Sequence, residues 1–373
     1  MSQGKLHICL WGKDSFKNYT PLFFESDLSD QSGVLMLAPE SDVDQVSQNA
    51  LGLLNICQVL TWPVNGAELA DFSKLEKSLV EFNENQVVVN LSGGTRLQAL
   101  ELLAWANRQG YDSYLIDQYD RLHWVDKPSV ASQQVPDKAN LKNYFQIRNI
   151  TILRMGMDFN ITPSLREIVK RWVLSNHDRS IFRQLNWQSS NAKIKDDGRF
   201  KSYLDECWET SPISGVLADL QQEQLLSCRD REITYVSESA RFFCNGGWME
   251  LFVYDQIQSI KSSVPEIQDV WIAAEVVYPE KVKNELDVVF LANNQLHLIE
   301  VKTSYLKNNI SSANNIIYKL DALSGALGQG VKGMVVSLFP LPHGSLGRAG
   351  LHEIEVSSPA SLKPFTVAVA AAI

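Results

Sequence analysis

The sequence predicts an α/β fold in three successive parts: a Rossmann-like first part, a helical connector resembling a winged helix, and a compact α/β module at the end. Three observations carry this. Short apolar runs alternate with helix-period segments up to about residue 126, the alternation stops at "DKPSVASQQVPDK", and from about residue 241 the order becomes helix, three strands, helix, strand. A chain of 373 residues is longer than one core usually serves, so two or three domains are expected. The boundaries fall at 1–140, 141–240 and 241–373.

In the first part, "LHICLW", "GVLMLA", "QVLTW", "QVVVNLS", "YDSYLI" and "RLHWV" read as strands, with helix-period segments near 41–55, 67–85 and 95–109 between them. The apolar run of "VVVNLS" is continuous, as expected of a central strand covered on both faces. The Pro, Ser and Gln of the stretch that follows read as a loop or linker. From about 141 to 240 the chain reads as mostly helical and ends in "LLSCRDREITYVS", a helix, a polar turn and a short strand. Residues 166–201 hold nine Lys and Arg against four Asp and Glu, the most basic stretch of the chain. The last part offers the helix "GWMELFVYDQIQSI", the strands "QDVWIAAEVVY", "NELDVVFLA" and "QLHLIEVKT", the helix "ANNIIYKLDALSGAL" and the strand "GMVVSLF". The tail "FTVAVAAAI" reads as a last strand or short helix.

Net charge is -9, and residues 1–140 hold ten Lys and Arg against eighteen Asp and Glu, which excludes a general polyanion binder. Five scattered cysteines without a C-x-x-C pair suggest neither a disulfide framework nor a zinc knuckle. With no signal-peptide pattern and no apolar run of about 18 residues, a cytoplasmic protein without a membrane partner is expected.

In "NELDVVFLANNQLHLIEVKTS" two apolar runs are joined by the Asn-rich turn chemistry of "ANNQ". Glu300 and Lys302 are two apart and share a face, and closing the hairpin brings Asp287 beside them. Such carboxylates are hard oxygen ligands for Mg²⁺ or Mn²⁺. An ion there stabilises charge on a phosphodiester and lowers the pKa of bound water, while the lysine orients that water or neutralises developing charge. Glu285 shares the face of Asp287, Lys319 is a candidate phosphate contact, and His297 reads as structural. The alternative is a set of surface ion pairs on an edge hairpin.

A second cluster lies in "VVVNLSGGTRLQALELLAWA", where Asn90, Ser92, Gly93, Gly94, Thr95 and Arg96 stand at a strand-to-helix handover. Glycines allow close approach of a ligand, and the first N–H groups of a helix bind anions. A phosphate site is one reading, a tight turn with an N-cap the other. The loop is neither a Walker A sequence nor a dinucleotide fingerprint.

Asp287, twelve intervening residues and then Glu300-Val301-Lys302 resembles the PD-(D/E)xK, restriction-endonuclease-like superfamily, with Leu286 in place of its leading proline. "NLSGGTR" is similar to the N-x-[ST]-G-G-T-[KR] motif of CRISPR-associated Rossmann-fold (CARF) sensor domains, which bind cyclic oligoadenylates. With "RFFCNGGWMELFVYDQI", "YKLDAL" and the domain order, the whole chain resembles the CARF–nuclease fusions of type III CRISPR defence. The resemblance implies a Mn²⁺- or Mg²⁺-dependent nuclease with Asp287, Glu300, Lys302 and Glu250 as catalytic residues, and Asp287, Glu300, Glu250 and Val301 as metal ligands. It also implies activation by cyclic tetra-adenylate in a homodimeric pocket built from Asn90, the Ser92–Arg96 loop, Trp11 and Asp14, with Lys13 beside them. The implied substrate is single-stranded DNA or RNA, or nicked duplex. Two other readings are a ligand-sensing transcriptional regulator with a degenerate nuclease fold, and ring nuclease activity in the CARF domain.

Overall fold

The structure, a computed structural model, describes residues 5–12, 15–19, 33–43, 56–61, 72–82, 86–174, 178–328 and 330–357. Lys13, Asp14, most of the expected helix at 41–55 and the apolar tail lie outside them.

The first sheet is built from β1 (Leu6–Leu10), β2 (Gly33–Ala38), β3 (Ile56–Thr61), β4 (Val87–Asn90), β5 (Asp112–Ile116), β6 (Arg121–Trp124) and β7 (Gln133–Gln134), in the order β3-β2-β1-β4-β5-β6-β7. The strands from β3 to β5 are parallel, and β6 and β7 return antiparallel. Helices α1 (Ser73–Ser78) and α2 (Arg96–Gln109) pack on one face, around Leu75, Leu102 and Trp105. The strand order reverses between β1 and β4. In an open α/β sheet, ligands sit beyond the strand carboxyl ends at such a reversal.

Helix α3 (Leu141–Ile147) leads into β8 (Thr151–Arg154). Helices α4 (Pro163–Leu174) and α5 (Ser180–Asn191) follow, then β9 (Lys193–Ile194), β10 (Phe200–Tyr203), α6 (Ser214–Gln222), β11 (Leu226–Arg229) and β12 (Glu232–Tyr235). Two features depart from the expected helical connector. Strands β9 to β12 form a four-stranded antiparallel sheet, β11-β12-β10-β9, and β8 pairs with a strand of the last sheet. Strands of two to four residues, as polar as Lys193–Ile194, are too short to show an alternation in sequence.

After α7 (Glu238–Phe242) and a kinked turn, α8 (Trp248–Ile260) opens the last part, followed by β13 (Ile267–Val277), β14 (Lys283–Ala292), β15 (Gln295–Lys302), α9 (Ile310–Leu327), β16 (Lys332–Ser337), α10 (His343–Leu351) and β17 (Glu355–Ser357). The sheet order is β17-β16-β15-β14-β13-β8. Asn293 and Asn294 both have positive φ, 49° and 56°, which two-residue hairpin turns of type I′ require.

Two cores lie on opposite faces of this last sheet. One joins Ile299, Val301 and Val336 to the connector through Phe182, Trp172 and Trp248. The other joins Leu286, Val289, Leu296 and Leu298 to α3, α9 and the first sheet at Cys9, Val34 and Met36. Strand β15 is thus covered on both sides, which explains its nearly continuous burial.

Candidate functional site

The β14–β15 hairpin closes with Val288 opposite Ile299, so the next pair outward is Asp287 and Glu300. The Val301 N–H donates to Asp287 Oδ2 at 2.7 Å, fixing that carboxylate at the strand junction. Lys302 Nζ lies 2.7 Å from Glu300 Oε1 and 3.5 Å from Asp287 Oδ2. It also donates to the Val301 carbonyl at 3.0 Å. From α9, Lys319 Nζ approaches both Glu300 oxygens at 3.3 and 3.4 Å. Asp287, Glu300 and Lys302 are therefore brought together, and Glu250, in the first turn of α8, lines the same cleft of about 870 Å³. Glu285 lines it too, and its carboxylate faces Arg154 at 3.8 Å. His297 is buried and stacked on Phe290, with ring centroids 4.4 Å apart.

The cleft holds more buried acid than its lysines neutralise. Burial pushes the Asp287 carboxyl up to about 6 against the pull of Lys302, and the charge of Glu300 pushes the same way. Glu250 is held well above the ordinary carboxyl range, by burial first and then by the charges of Asp287 and Glu285. Burial works against the Lys302 ammonium, yet Asp287 and Glu300 outweigh it and raise its pKa.

Repelling, desolvated carboxylates are a setting in which a hard divalent cation is favourable. The donors Asp287, Glu300, Glu250 and the Val301 carbonyl fit such an ion chemically. Among the described residues, however, no group of three His, Cys, Asp or Glu side chains is already arranged to hold one. The Lys302 ammonium occupies the contact between Glu300 and Asp287 instead.

Sequence reasoning missed the wall that the connector contributes. Asn186 of α5 donates to Thr303 Oγ1 at 2.9 Å and to the Thr303 carbonyl at 3.2 Å, immediately after Lys302. Gly246, at φ 130°, sits where a Cβ would come within 2.6 Å of Thr303 Oγ1, so the turn before α8 can press on the same residue only as glycine. The sole prior signal was the basic character of residues 166–201.

The glycine loop lies at the reversal between β1 and β4. Asn90 donates to the Lys17 carbonyl at 2.9 Å and accepts from the Ser92 N–H at 3.0 Å. Gly93 backs onto the Leu10 carbonyl, where a Cβ would stand only 1.9 Å away, and Gly12 meets Gly94 in the same fashion. Trp11 and the Ser92–Arg96 loop are thereby neighbours, whereas Asp14 lies outside the described residues. Thr95 and Gln98 form a reciprocal capping box, and Gly94, Thr95 and Arg96 are exposed. The loop is both a tight N-cap and an open helix start, since first-turn N–H groups have no intrahelical acceptor.

Hydrogen bonds run from this loop to the hairpin. Ser92 Oγ accepts from the Ile116 N–H at 2.8 Å, at the end of β5. In the turn that follows, Asp120 Oδ2 accepts from Asn294 Nδ2 at 2.6 Å and the Gln118 carbonyl from Gln295 Nε2 at 2.7 Å. Asn294 also accepts from Gln268 at 2.8 Å. The turn between β14 and β15 is thus docked on the first sheet.

These features define an α/β chain with an acidic, lysine-edged cleft at one end and a strand-end loop site at the other. Its C-terminal part is more specific: residues 237–363 match the family model described as Card1-like, endonuclease domain. Over the whole chain the fold is shared with protein VC1899 from Vibrio cholerae, at 22% identity, TM-score 0.79 and coverage of 98% of this chain and 97% of that one. It is shared as well with Can2 from Sulfobacillus thermosulfidooxidans, solved in complex with cyclic tetra-adenylate, at 21% identity, TM-score 0.74 and 98% coverage of both. A type III CRISPR defence DNA nuclease activated by cyclic oligoadenylate aligns at 16% identity and TM-score 0.56, over 92% of this chain and 47% of its own. No curated protein sequence matches. The likeness to CARF–nuclease chains is borne out in the fold and in that C-terminal domain.

Proposed function

We propose that the chain is a nuclease of type III CRISPR defence, dependent on Mn²⁺ or Mg²⁺ and switched on by a cyclic oligoadenylate, with cyclic tetra-adenylate as the first ligand to test. The observation that carries this reading is the meeting of Asp287, Glu300 and Lys302 in one cleft with Glu250, inside a region matching an endonuclease domain. Held by Asp287, Glu300, Glu250 and the Val301 carbonyl, a divalent ion would supply Lewis-acid stabilisation of the phosphodiester and would lower the pKa of a nearby water. The chain's own groups do the rest. The Val301 N–H holds Asp287 in register, Lys302 places an ammonium where negative charge develops at phosphorus, and Lys319 adds a second positive charge at the rim.

The Ser92–Arg96 loop, with Asn90 and Trp11, is the proposed seat of the cyclic ligand, through helix-start N–H groups and the Arg96 charge. A two-fold pocket made by a homodimer suits a ring-shaped ligand, and a cytoplasmic setting suits the free thiols of Cys9, Cys207, Cys228 and Cys244. No helix of the described residues is long and apolar enough to cross a membrane.

The basic stretch of residues 166–201 would suit a regulator slightly, but several of its cations are engaged within the chain: Arg166 with Asp255, Arg171 with Asp219 at 2.6 Å, and Lys201 with Asp197 and Glu232 at 3.1 Å each. The test incubates the protein with Mn²⁺ or Mg²⁺ and labelled single-stranded DNA, single-stranded RNA and supercoiled plasmid, with and without cyclic tetra-adenylate. Cleavage that needs both metal and ring, and is lost in Glu300→Ala and Lys302→Ala, supports the proposal. Shifts of duplex DNA without cutting favour the regulator.

A further inference from the structure

The wall of the cleft opposite the acids comes from the connector, and its chemistry differs from theirs. Helix α5 buries Phe182 and Leu185 in the core yet leaves Trp187 59% exposed on the face that lines the cleft. Two more aromatic side chains on the same lining, Phe242 and Tyr305, are 37% and 38% exposed. Arg183, one turn before Trp187, places its guanidinium 4.8 Å from the Tyr305 ring centroid. The helix is fixed relative to the catalytic strand by the Asn186–Thr303 bonds, and Arg179 adds a bond to the Leu338 carbonyl at 3.1 Å.

An indole left in water forgoes a large hydrophobic gain, and α5 has core positions in which a large ring could be buried. What an exposed ring offers beside a phosphodiester site is a π-face. Stacking on aromatic side chains is how proteins hold unpaired bases, and arginine and lysine beside the ring take the backbone phosphates. A base inside a duplex has both faces covered by its neighbours and cannot use such a platform without leaving the stack.

Resting on the nuclease reading above, we infer that Trp187 stacks an unpaired base next to the scissile phosphate, with Arg183 and Lys319 on either side of the strand, so that α5 selects substrates with a free base at this position. Trp187 is then a substrate-contacting residue supplied by the connector.

The test uses the full chain with Mn²⁺ and cyclic tetra-adenylate on a labelled single-stranded oligonucleotide of defined cleavage position. Trp187→Ala is expected to lose on the order of ten- to a hundredfold in kcat/KM, mainly through KM, and Trp187→Phe to recover most of it. A single abasic nucleotide moved along the oligonucleotide is expected to impair the wild type at one position, and at that position to add nothing to the loss in Trp187→Ala. Losses that add at every position, or an unchanged kcat/KM in Trp187→Ala, overturn the inference while leaving the nuclease reading in place. A loss accompanied by a change in molar mass on light scattering also overturns it, because the ring then serves contact between copies. Absence of cleavage by the wild type under all conditions would instead sink the nuclease reading itself.

Discussion

Replacing Asp287 with asparagine is expected to abolish cleavage and, without metal, to make the protein more stable. Moving a carboxyl from its ordinary 3.8 to about 6 means that ionising it in the folded chain is disfavoured by on the order of 3 kcal/mol. The folded state holds the proton more tightly than the unfolded state. This penalty is therefore absent below the lower value, grows as pH rises, and is complete above the higher one. Asparagine is neutral throughout and keeps an oxygen that can accept from the Val301 N–H, so Asp287→Asn escapes the penalty without losing the strand contact. Melting followed by fluorescence at pH 5 and pH 8 in EDTA checks this: the variant should melt higher at pH 8, and the gap should narrow at pH 5. Adding Mn²⁺ should raise the wild-type midpoint and leave the variant's nearly unchanged. A variant less stable than wild type at pH 8 without metal, or one stabilised equally by Mn²⁺, would refute the picture of a strained acidic cluster awaiting a cation.

Three further outcomes are expected. Lys302→Met removes the ammonium that Glu300 and Asp287 share, so cleavage should fall by at least about a hundredfold and stability at pH 8 by up to about 3 kcal/mol, both readable in one preparation by gel assay and denaturant titration. His297, pushed by burial down to about 3, is neutral in the fold and charges readily once unfolded; stability should fall as pH drops below about 6.5, and His297→Phe should flatten that slope in urea melts between pH 4 and 7. Asn294→Asp sets a second carboxylate against Asp120 in a buried contact and should cost about 1–3 kcal/mol; in the same variant, stimulation by cyclic tetra-adenylate should weaken, as measured by initial cleavage rates.

The hairpin was legible in the sequence because each requirement was local. Alternation set the faces, "ANNQ" set the turn, and a separation of twelve residues let Asp287 meet Glu300. The first sheet was legible for a similar reason, its strands being apolar runs between helical segments. The four-stranded sheet was not, since Lys193–Ile194 and Phe200–Tyr203 are too short and polar to carry a period, and only pairing makes them strands. Nor could any local pattern reveal that Asn186 of α5 bonds to Thr303 just after β15, because that contact spans 117 residues and depends on how α5 packs. The glycine loop was half legible: of the two readings the sequence offered, a phosphate site or an N-cap, Thr95 with Gln98 makes the cap, and Arg96 beside it is exposed.

The apolar core shared by Val34 and Met36 at one end of the chain and Leu286, Val289 and Leu296 at the other bears on any attempt at dissection. A fragment cut near residue 140 or 240 would bare its share of that interior to water, and the β14–β15 hairpin would lose the footing beneath its turn. Transplanting either half onto a foreign scaffold therefore demands a matching apolar floor as well as a matching motif.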